Sequence, residues 1–463
     1  MLLSLANELQ AQICGFQDHH NLTVLMRVNK SLSRLVEPML YSQVELHPPD
    51  YHEYYRYPSE ADNIPTEHRK YWTEAFVYTE LKELGASFKT DSFMALFQET
   101  DASGPPRARR EALAKHVRLL CLELSLDNSE THAADPFGII ASFQNLTHLE
   151  LTMNWPRQLQ IWNKVARDFL AKSHPPLENL RTLRLRGYLP KELVQYLCRG
   201  TTGILDLELA VLDRPIGSSL VYDRQNPPRK RKSEGYEDDE DEDDDEDDDE
   251  DDTAENSDAE DFEHEECIAP RALAALDDID LTRQFSSLAH LRLCRPAESP
   301  RGGVQDVYVS VASDITILKE WAELIRATRG TLEHLILDQR PFAEEIEQDS
   351  TSDEEFLRAY AYGPGYDRFI EHALPALIED AAEWPRLRSV HLHGFDVPPK
   401  DGGEVNHAVD QPQRLLEVVA ARFEPLGVDV RSDLGRRMVY EDDDGVIRGR
   451  VDGFGGRRWD LDD

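Results

Sequence analysis

The side chains in this sequence that could do chemistry at short spacing are histidines. His391 and His393 alternate within a stretch of apolar and polar residues, so on a β-strand their imidazoles share one face and could bind a metal ion. Ordinary polar positions of a strand explain this pair better. His19 and His20 are adjacent, which is poor geometry for chelation, and we expect both at the surface. The sequence therefore predicts no metal site.

Motifs that carry catalysis are absent from the sequence. It contains no G-x-S-x-G, P-loop, H-E-x-x-H or G-x-G-x-x-G pattern. The glycine-rich GFGG at 453–456 has no strand–helix context that would make it a phosphate cradle. We therefore predict no catalytic residues and no cofactor, and a protein that is not an enzyme.

The elements that would position the histidines repeat along the chain. The signature L-x-x-L-x-L recurs as VRLLCL (117–122), LTHLEL (146–151), LRTLRL (180–185), ILDLEL (204–209), LAHLRL (288–293), LEHLIL (332–337) and LRSVHL (387–392). Alternation of apolar and polar residues within each copy predicts a short strand. Helical patterns lie between the copies, at 160–171, 192–198, 317–328 and 366–382.

The spacing of the copies favours a solenoid of strand–helix units. Middle apolar positions 120, 149, 183 and 207 are 29, 34 and 24 residues apart, which suits an irregular leucine-rich repeat. The asparagine ladder of regular repeats is missing. Later intervals of 84, 44 and 55 residues predict insertions between units, and the pattern ends after residue 396.

Stacked units of this kind would place their strands in one parallel sheet whose concave face carries the polar residues between the leucines. We expect that face to bind a target protein. The candidate target-binding residues are His148, Glu150, Arg184, Glu208, Arg292, His334 and His391.

The first 46 residues predict three short helices. Leu9, Ile13 and Phe16 recur at helical spacing, a second apolar series follows from Leu22, and a third ends where Pro38 interferes with continuation. So small a unit buries little area alone and normally depends on a neighbour or a partner.

Residues 5–46 resemble an F-box of the form common in filamentous fungi. The resemblance is carried by LANEL (5–9), by LTVLMRVNKSLSRLVEP (22–38) and by LYSQVEL (40–46), with Ala6 where the family usually has proline. It implies a three-helix unit that docks on the Skp-type adaptor of a cullin–RING ubiquitin ligase, with the repeats selecting the substrate. By position, the residues implied to face the adaptor are Leu5, Ala6, Leu9, Ile13, Leu25 and Val28. Intramolecular core is the alternative for these apolar residues.

The charge of the chain is concentrated in one segment. Residues 233–266 hold 24 acidic residues and no Lys or Arg, out of a formal net charge of −39. Blocks of like charge are usually disordered, so we predict a solvated insertion between repeats. Attraction of basic proteins is the other interpretation. An acidic chain is not expected to bind nucleic acid, because that needs clustered cations.

Several features indicate where the protein resides. The five cysteines are scattered, which favours free thiols in a reducing compartment. We find neither a signal peptide nor an apolar run long enough to span a membrane. The cluster Arg229, Lys230, Arg231 and Lys232 is a possible nuclear-localisation signal, or it pairs with the neighbouring acidic tract. We predict a soluble cytoplasmic and/or nuclear protein.

The sequence thus predicts an α/β fold with six regions: an F-box-like helical unit, a linking helical region, repeats, a disordered basic/acidic insertion, more repeats, and a C-terminal cap with a polar tail. Their ranges are 1–46, 47–116, 117–212, 213–272, 273–395 and 396–463. We expect a substrate receptor of a Skp–cullin–F-box ubiquitin ligase, with an adaptor, a cullin and an unknown protein substrate as partners. The alternative is a repeat scaffold, or an acidic-tract binder of basic proteins, that has no ligase role.

Overall fold

The fold is given by a computed structural model. It describes residues 6–17, 19–46, 90–98, 106–124, 135–153, 166–199, 201–213, 271–276, 279–297, 311–343, 364–379, 384–395, 415–433, 438–441 and 450–452. Several predicted features lie outside these residues: Leu5, the basic cluster 229–232, the acidic tract 233–266 and Cys267.

Three helices form the N-terminal unit, and they run through Asn7–Gly15 (α1), His19–Val28 (α2) and Lys30–Ser42 (α3). The expectation that Pro38 ends the third helix was wrong, because α3 continues through it to Ser42. Asn29 caps α3 by accepting a hydrogen bond from the Ser31 amide at 2.6 Å, and the α3 face that holds Leu32 and Val36 is buried. Capping and burial outweigh the single backbone hydrogen bond that proline removes.

A parallel sheet follows the helical unit. Its strands are Gln43–Glu45 (β1), Leu119–Leu124 (β2), His148–Met153 (β3), Thr182–Tyr188 (β4), Asp206–Asp213 (β5), His290–Ala297 (β7), His334–Ala343 (β8), Ser389–His393 (β9) and Asp429–Asp433 (β10). These nine strands pair in chain order, and every pairing along the path is parallel. The two-residue strand Arg271–Ala272 (β6) pairs antiparallel with the end of β5. Met438–Glu441 (β11) pairs with the end of β8 and with Arg450–Asp452 (β12).

Helices precede the strands and cover one face of the sheet. Their bounds are Arg107–Ala114, Pro136–Ala141, Lys191–Arg199, Leu281–Gln284, Val311–Thr328, Pro364–His372, Leu374–Ile378 and Leu415–Phe423, with a 3₁₀ turn at Glu424–Leu426. Strand order that follows chain order, with helices as crossovers, gives an α/β architecture that is solenoid-like. The predicted α/β class is therefore confirmed.

The seven apolar signatures coincide with the core. In every copy the three signature positions are buried, and none of the 21 side chains is more than 7% exposed. The middle positions are in register across the sheet: Leu120, Leu149, Leu183, Leu207, Leu291, Leu335 and Val390 are joined strand to strand. One row of apolar side chains therefore runs through all seven units, and each unit completes the core of the next.

Backbone hydrogen bonds tie each unit to the one before it at the point where the strands begin. The Thr147 amide donates to the Arg118 carbonyl at 2.7 Å, and the Arg181 amide donates to the Thr147 carbonyl at 2.8 Å. Two asparagines extend this contact. Asn145 donates to the Lys115 carbonyl at 2.6 Å, and Asn179 to the Gln144 carbonyl at 2.9 Å. Part of an asparagine ladder is thus present, one residue before the signature.

The sheet extends beyond the repeats that the sequence predicted. β1 lies in the segment assigned to the helical unit, and it pairs with β2 from Gln43 to Glu45. At the other end β10 adds a strand after residue 396, where the pattern was expected to end. Both strands are short and contain no leucine, so they do not show the signature. Their partners in the sheet decide their conformation.

Two glycines occupy equivalent places where adjacent strands approach closely. Gly187 of β4 has φ +76°, and a Cβ there would lie 2.3 Å from the Met153 carbonyl oxygen. Gly394 has φ +74°, and a Cβ there would lie 2.0 Å from the Gln339 carbonyl oxygen. We expect Gly187→Ala to lower the free energy of unfolding by at least about 2 kcal/mol, measured by urea denaturation. Gly330→Ala is the control, since its Cβ would meet nothing within 4 Å. Equal stability of the two variants would contradict this prediction.

Candidate functional site

The polar face of the sheet, opposite the helices, carries four of the predicted target-binding residues side by side. Glu150, Arg184, Glu208 and Arg292 are cross-strand neighbours on β3, β4, β5 and β7. We call them the charge row. Their charges alternate in sign from strand to strand, so each side chain has opposite charges as its neighbours.

Arg184 and Arg186 join the charge row to the residues around it. Arg184 lies 3.7 Å from Glu150 and donates to Asp206 at 3.1 Å. Arg186 contacts Glu150 at 2.5 Å and forms a bidentate pair with Glu208 at 2.7 and 3.0 Å. The carboxylates of neighbouring strands are thereby bridged through guanidinium groups, which suit such paired contacts.

Asp338 forms a second centre on the same face, next to the end of the charge row. Arg292 donates to its carboxylate at 2.9 Å and Arg340 at 2.7 Å. Burial raises the pKa of the Asp338 carboxyl, but Arg340 and Arg292 outweigh burial and hold that pKa well below its usual range. Asp338 is therefore ionised at any physiological pH.

These charged groups are buried, which the sequence did not predict for a target-binding face. Arg184 is 1% exposed and Asp338 is 2% exposed. The two centres together contain four guanidinium groups, of Arg184, Arg186, Arg292 and Arg340, and four carboxylates, of Glu150, Asp206, Glu208 and Asp338. Because the charges balance and contact one another, much of their hydrogen-bonding capacity is used within the fold. A role for the charge row in binding a target remains a prediction.

The predicted histidines lie on this face and are half-buried. The Nδ1 of His334 lies 2.8 Å from Ser389 Oγ, and its ring packs edge-on against His290 at 4.9 Å. His148 Nδ1 lies 2.9 Å from Thr147 Oγ1. His391 and His393 share the face with ring centroids 6.1 Å apart. Within the residues described, no group of three or more His, Cys, Asp or Glu side chains is placed to hold a metal ion.

A buried ion cluster on the helix side of the sheet escaped sequence reasoning. Arg295 of β7 is fully buried and donates to Asp314 of the helix Val311–Thr328, to Gln339 at 2.7 Å and to the Gly365 carbonyl at 2.6 Å. Arg368 donates to the same carboxylate at 2.6 Å. Arg295 breaks the apolar alternation of its strand, which is the one signal in the sequence for this cluster.

The thiols within the described residues are buried inside the fold. Cys14, Cys121, Cys198 and Cys294 are free and buried. Burial raises the pKa of Cys198 to about 12, and it also raises the pKa of Cys294. Their thiolate forms are scarce at neutral pH, so these groups are packing residues and poor nucleophiles.

The N-terminal helical unit presents apolar side chains to solvent. Five of the nine exposed large apolar side chains in the described part of the chain belong to this unit: Leu9, Ile13, Phe16, Val24 and Val28. We call these five the apolar stripe. Exposed apolar side chains concentrated on one unit are typical of interaction sites on soluble proteins.

Helix α1 buries a polar side chain and exposes apolar ones. Its buried face holds Gln10, 5% exposed, and Cys14, while Leu9 and Ile13 on the opposite side are 49% and 39% exposed. A surface helix normally turns its apolar face to the core. On α1 this arrangement is reversed, because Leu9 and Ile13 are turned to solvent.

The residues predicted to face an adaptor divide into two groups. Ala6, Leu9, Ile13 and Val28 are exposed. Leu25 is partly buried and packs against the small cluster of Cys14, Leu22 and Val36, as the intramolecular alternative expects. Sequence reasoning placed Phe16 in the helical series but did not count it, or Val24, among the adaptor-facing residues.

Comparison with known proteins leaves the function to be inferred from this geometry. A scan against models of known protein families finds no match for the chain. A search of curated proteins likewise finds no similar sequence. Among the helices described, none combines the length and the apolar character that crossing a membrane requires.

Proposed function

We propose that this protein is the substrate-recognition subunit of a Skp–cullin–F-box type ubiquitin ligase. In this role α1 and α2 bind a Skp-type adaptor, and through it a cullin, while the polar face of the solenoid-like sheet binds the protein to be modified. The observation that carries the proposal is the apolar stripe, because an exposed apolar surface on a small helical unit needs a protein partner.

The division of the molecule supports this proposal. The stripe lies on the helices, and the predicted target-binding residues lie on six strands of the sheet, β3 to β5 and β7 to β9. A receptor of this kind needs no catalytic residue of its own, because it raises the local concentration of a substrate lysine near the charged conjugating enzyme. We accordingly propose a binding protein, and not an enzyme, that acts in the cytoplasm or nucleus.

Binding of a purified Skp-type adaptor tests the proposal. We expect the wild-type chain to bind the adaptor at micromolar concentration or tighter, and the double variant Leu9→Asp/Ile13→Asp to bind at least about 100-fold more weakly, since each change puts a carboxylate into an apolar interface. Isothermal titration calorimetry measures both affinities.

The control is Leu170→Asp/Leu426→Asp. These leucines are 59% and 50% exposed, close to the exposure of Leu9, and lie outside the helical unit. We expect this variant to bind like the wild type. Failure of the wild-type protein to bind adaptor would rule out the ligase role, and equal losses in both double variants would show that the stripe is not the contact.

A further inference from the structure

The largest exposed apolar side chain of the stripe is Phe16, at the C-terminal end of α1. The residue is 88% exposed, although it follows Leu9 and Ile13 at helical spacing. Exposed aromatic side chains are costly in water and are enriched among the residues that dominate binding energy at interfaces. Phe16 is therefore the best anchor that the stripe offers.

Three exposed cations lie on α2 and α3, in the same helical unit as the stripe. Arg27, Lys30 and Arg34 are all exposed, and we call them the basic band. Arg27 lies between Val24 and Val28 in sequence, so the band begins beside the stripe. Such a local excess of positive charge stands out in a chain with a formal net charge of −39.

The one carboxylate on α2 and α3 forms an ion pair with a residue outside these helices. Lys30, Arg34, Glu37 and Tyr41 follow one another at helical spacing on α3, and Glu37 is the only acidic residue in the range 19–42. Arg109, from the helix Arg107–Ala114, donates to both oxygens of Glu37, once at 2.5 Å. The Glu37 charge is therefore compensated from within the fold, and the band keeps a net positive charge.

We infer that the partner of the apolar stripe presents an apolar pocket for Phe16, bordered by acidic side chains that meet the basic band. This inference rests on the proposed function and specifies the chemistry of its adaptor contact. A protein surface fits better than a nucleic acid, because phosphate groups would satisfy the cations but would leave Phe16, Val24 and Val28 in water.

The two parts of such a contact act on different rate constants. Charges at the rim of an interface mainly accelerate association, whereas a buried anchor mainly slows dissociation. For wild type we expect the association rate constant with the Skp-type adaptor to fall about tenfold or more from 50 to 500 mM NaCl. For Arg27→Glu/Lys30→Glu/Arg34→Glu we expect association about tenfold slower at 50 mM, with little change in dissociation.

Phe16→Ala should do the opposite. We expect dissociation at least about 30-fold faster and association nearly unchanged, measured by surface plasmon resonance with the full chain. The matched charge control is Arg283→Glu/Lys319→Glu/Arg386→Glu, which reverses three exposed cations elsewhere. It changes the net charge by the same amount, and we expect it to leave association within about twofold of wild type.

The outcomes separate this inference from the proposed function. Absence of adaptor binding by wild type overturns both. Tight binding whose association is insensitive to salt, or equally slowed in both charge-reversal variants, overturns the inference and leaves the proposed function standing. A large increase in the association rate constant on deleting residues 233–266 would mean that the basic band binds the chain's own acidic tract. Self-association that is lost in Phe16→Ala would mean that the stripe binds a second copy of the chain. Either result also overturns the inference.

Discussion

Asp338→Asn should lower the free energy of unfolding by about 3–5 kcal/mol. Asp338 is 2% exposed and accepts hydrogen bonds from Arg292 at 2.9 Å and from Arg340 at 2.7 Å. The amide keeps the size of the side chain but removes the negative charge between two buried guanidinium groups. Removing one partner of a buried ion cluster costs this much because the remaining charges stay desolvated.

The pH dependence of this effect has a definite sign. The folded-state pKa of Asp338 is lowered, whereas the unfolded carboxyl has a pKa of about 3.9. As the pH falls below that value, the unfolded state takes up a proton before the folded state does, and this favours unfolding. The stabilisation is therefore fully present above about pH 5 and is lost as the pH falls through the folded-state pKa. We expect the difference between wild type and Asp338→Asn to be constant from about pH 5 to pH 8 and to shrink below about pH 4.

Urea unfolding followed by circular dichroism measures both effects. The control is Asp429→Asn, at the edge of the same sheet, where the carboxylate is 49% exposed and pairs with Arg431 at 2.7 Å. An exposed pair contributes at most about 1 kcal/mol. A loss below about 1 kcal/mol in Asp338→Asn would mean that the polar face relaxes or admits water.

Asp314→Asn should cost a similar amount, about 3–5 kcal/mol, through the other face of the sheet. Asp314 is the only carboxylate in the described residues that contacts Arg295, which is fully buried. Burial lowers the pKa of Arg295, and Asp314 opposes that effect. Without the carboxylate, a guanidinium group would remain inside the core beside Arg368, which carries the same charge.

The Asp314→Asn change should destabilise two helices locally as well as lower the free energy of unfolding. Asp314 joins β7 to the helices Val311–Thr328 and Pro364–His372, through Arg295 and Arg368. We expect faster amide hydrogen exchange in both helices in Asp314→Asn. Asp367→Asn, an exposed acid in the second helix, is the control and should change stability by less than about 1 kcal/mol. Unchanged exchange in Asp314→Asn would refute this positional role.

The sequence alone predicted the seven strands that carry the signature and the apolar positions that form their core. The signature L-x-x-L-x-L marks positions such as Leu149, Leu183 and Leu207, and all of them are buried and in register. Periodicity is a local property, so it can be recognised without knowledge of tertiary contacts. Strands β1 and β10 were missed because they are short and form by pairing with a neighbour that is already part of the sheet.

The environment of the charged residues on the sheet was harder to predict. Glu150, Arg184, Glu208 and Arg292 lie on one face of the sheet because they are direct cross-strand neighbours. Their burial was not foreseen, because pattern analysis cannot tell whether a polar residue faces water or an opposite charge on the next strand. Pairings such as Glu150 with Arg186 join residues 36 positions apart and exist only once the register is fixed.

The absence of catalytic motifs and the resemblance of residues 5–46 to an F-box are observations on the sequence by itself, and the proposed protein-binding role starts from them. Tertiary structure decided which apolar residues are available for that role. Sequence spacing treats Leu9, Ile13 and Leu25 alike, but folding buries part of Leu25 and leaves Leu9 and Ile13 in solvent. The physical reason is that the side of a helix that faces the core is set by the helices packed against it, and α1 turns Gln10 and Cys14 inward.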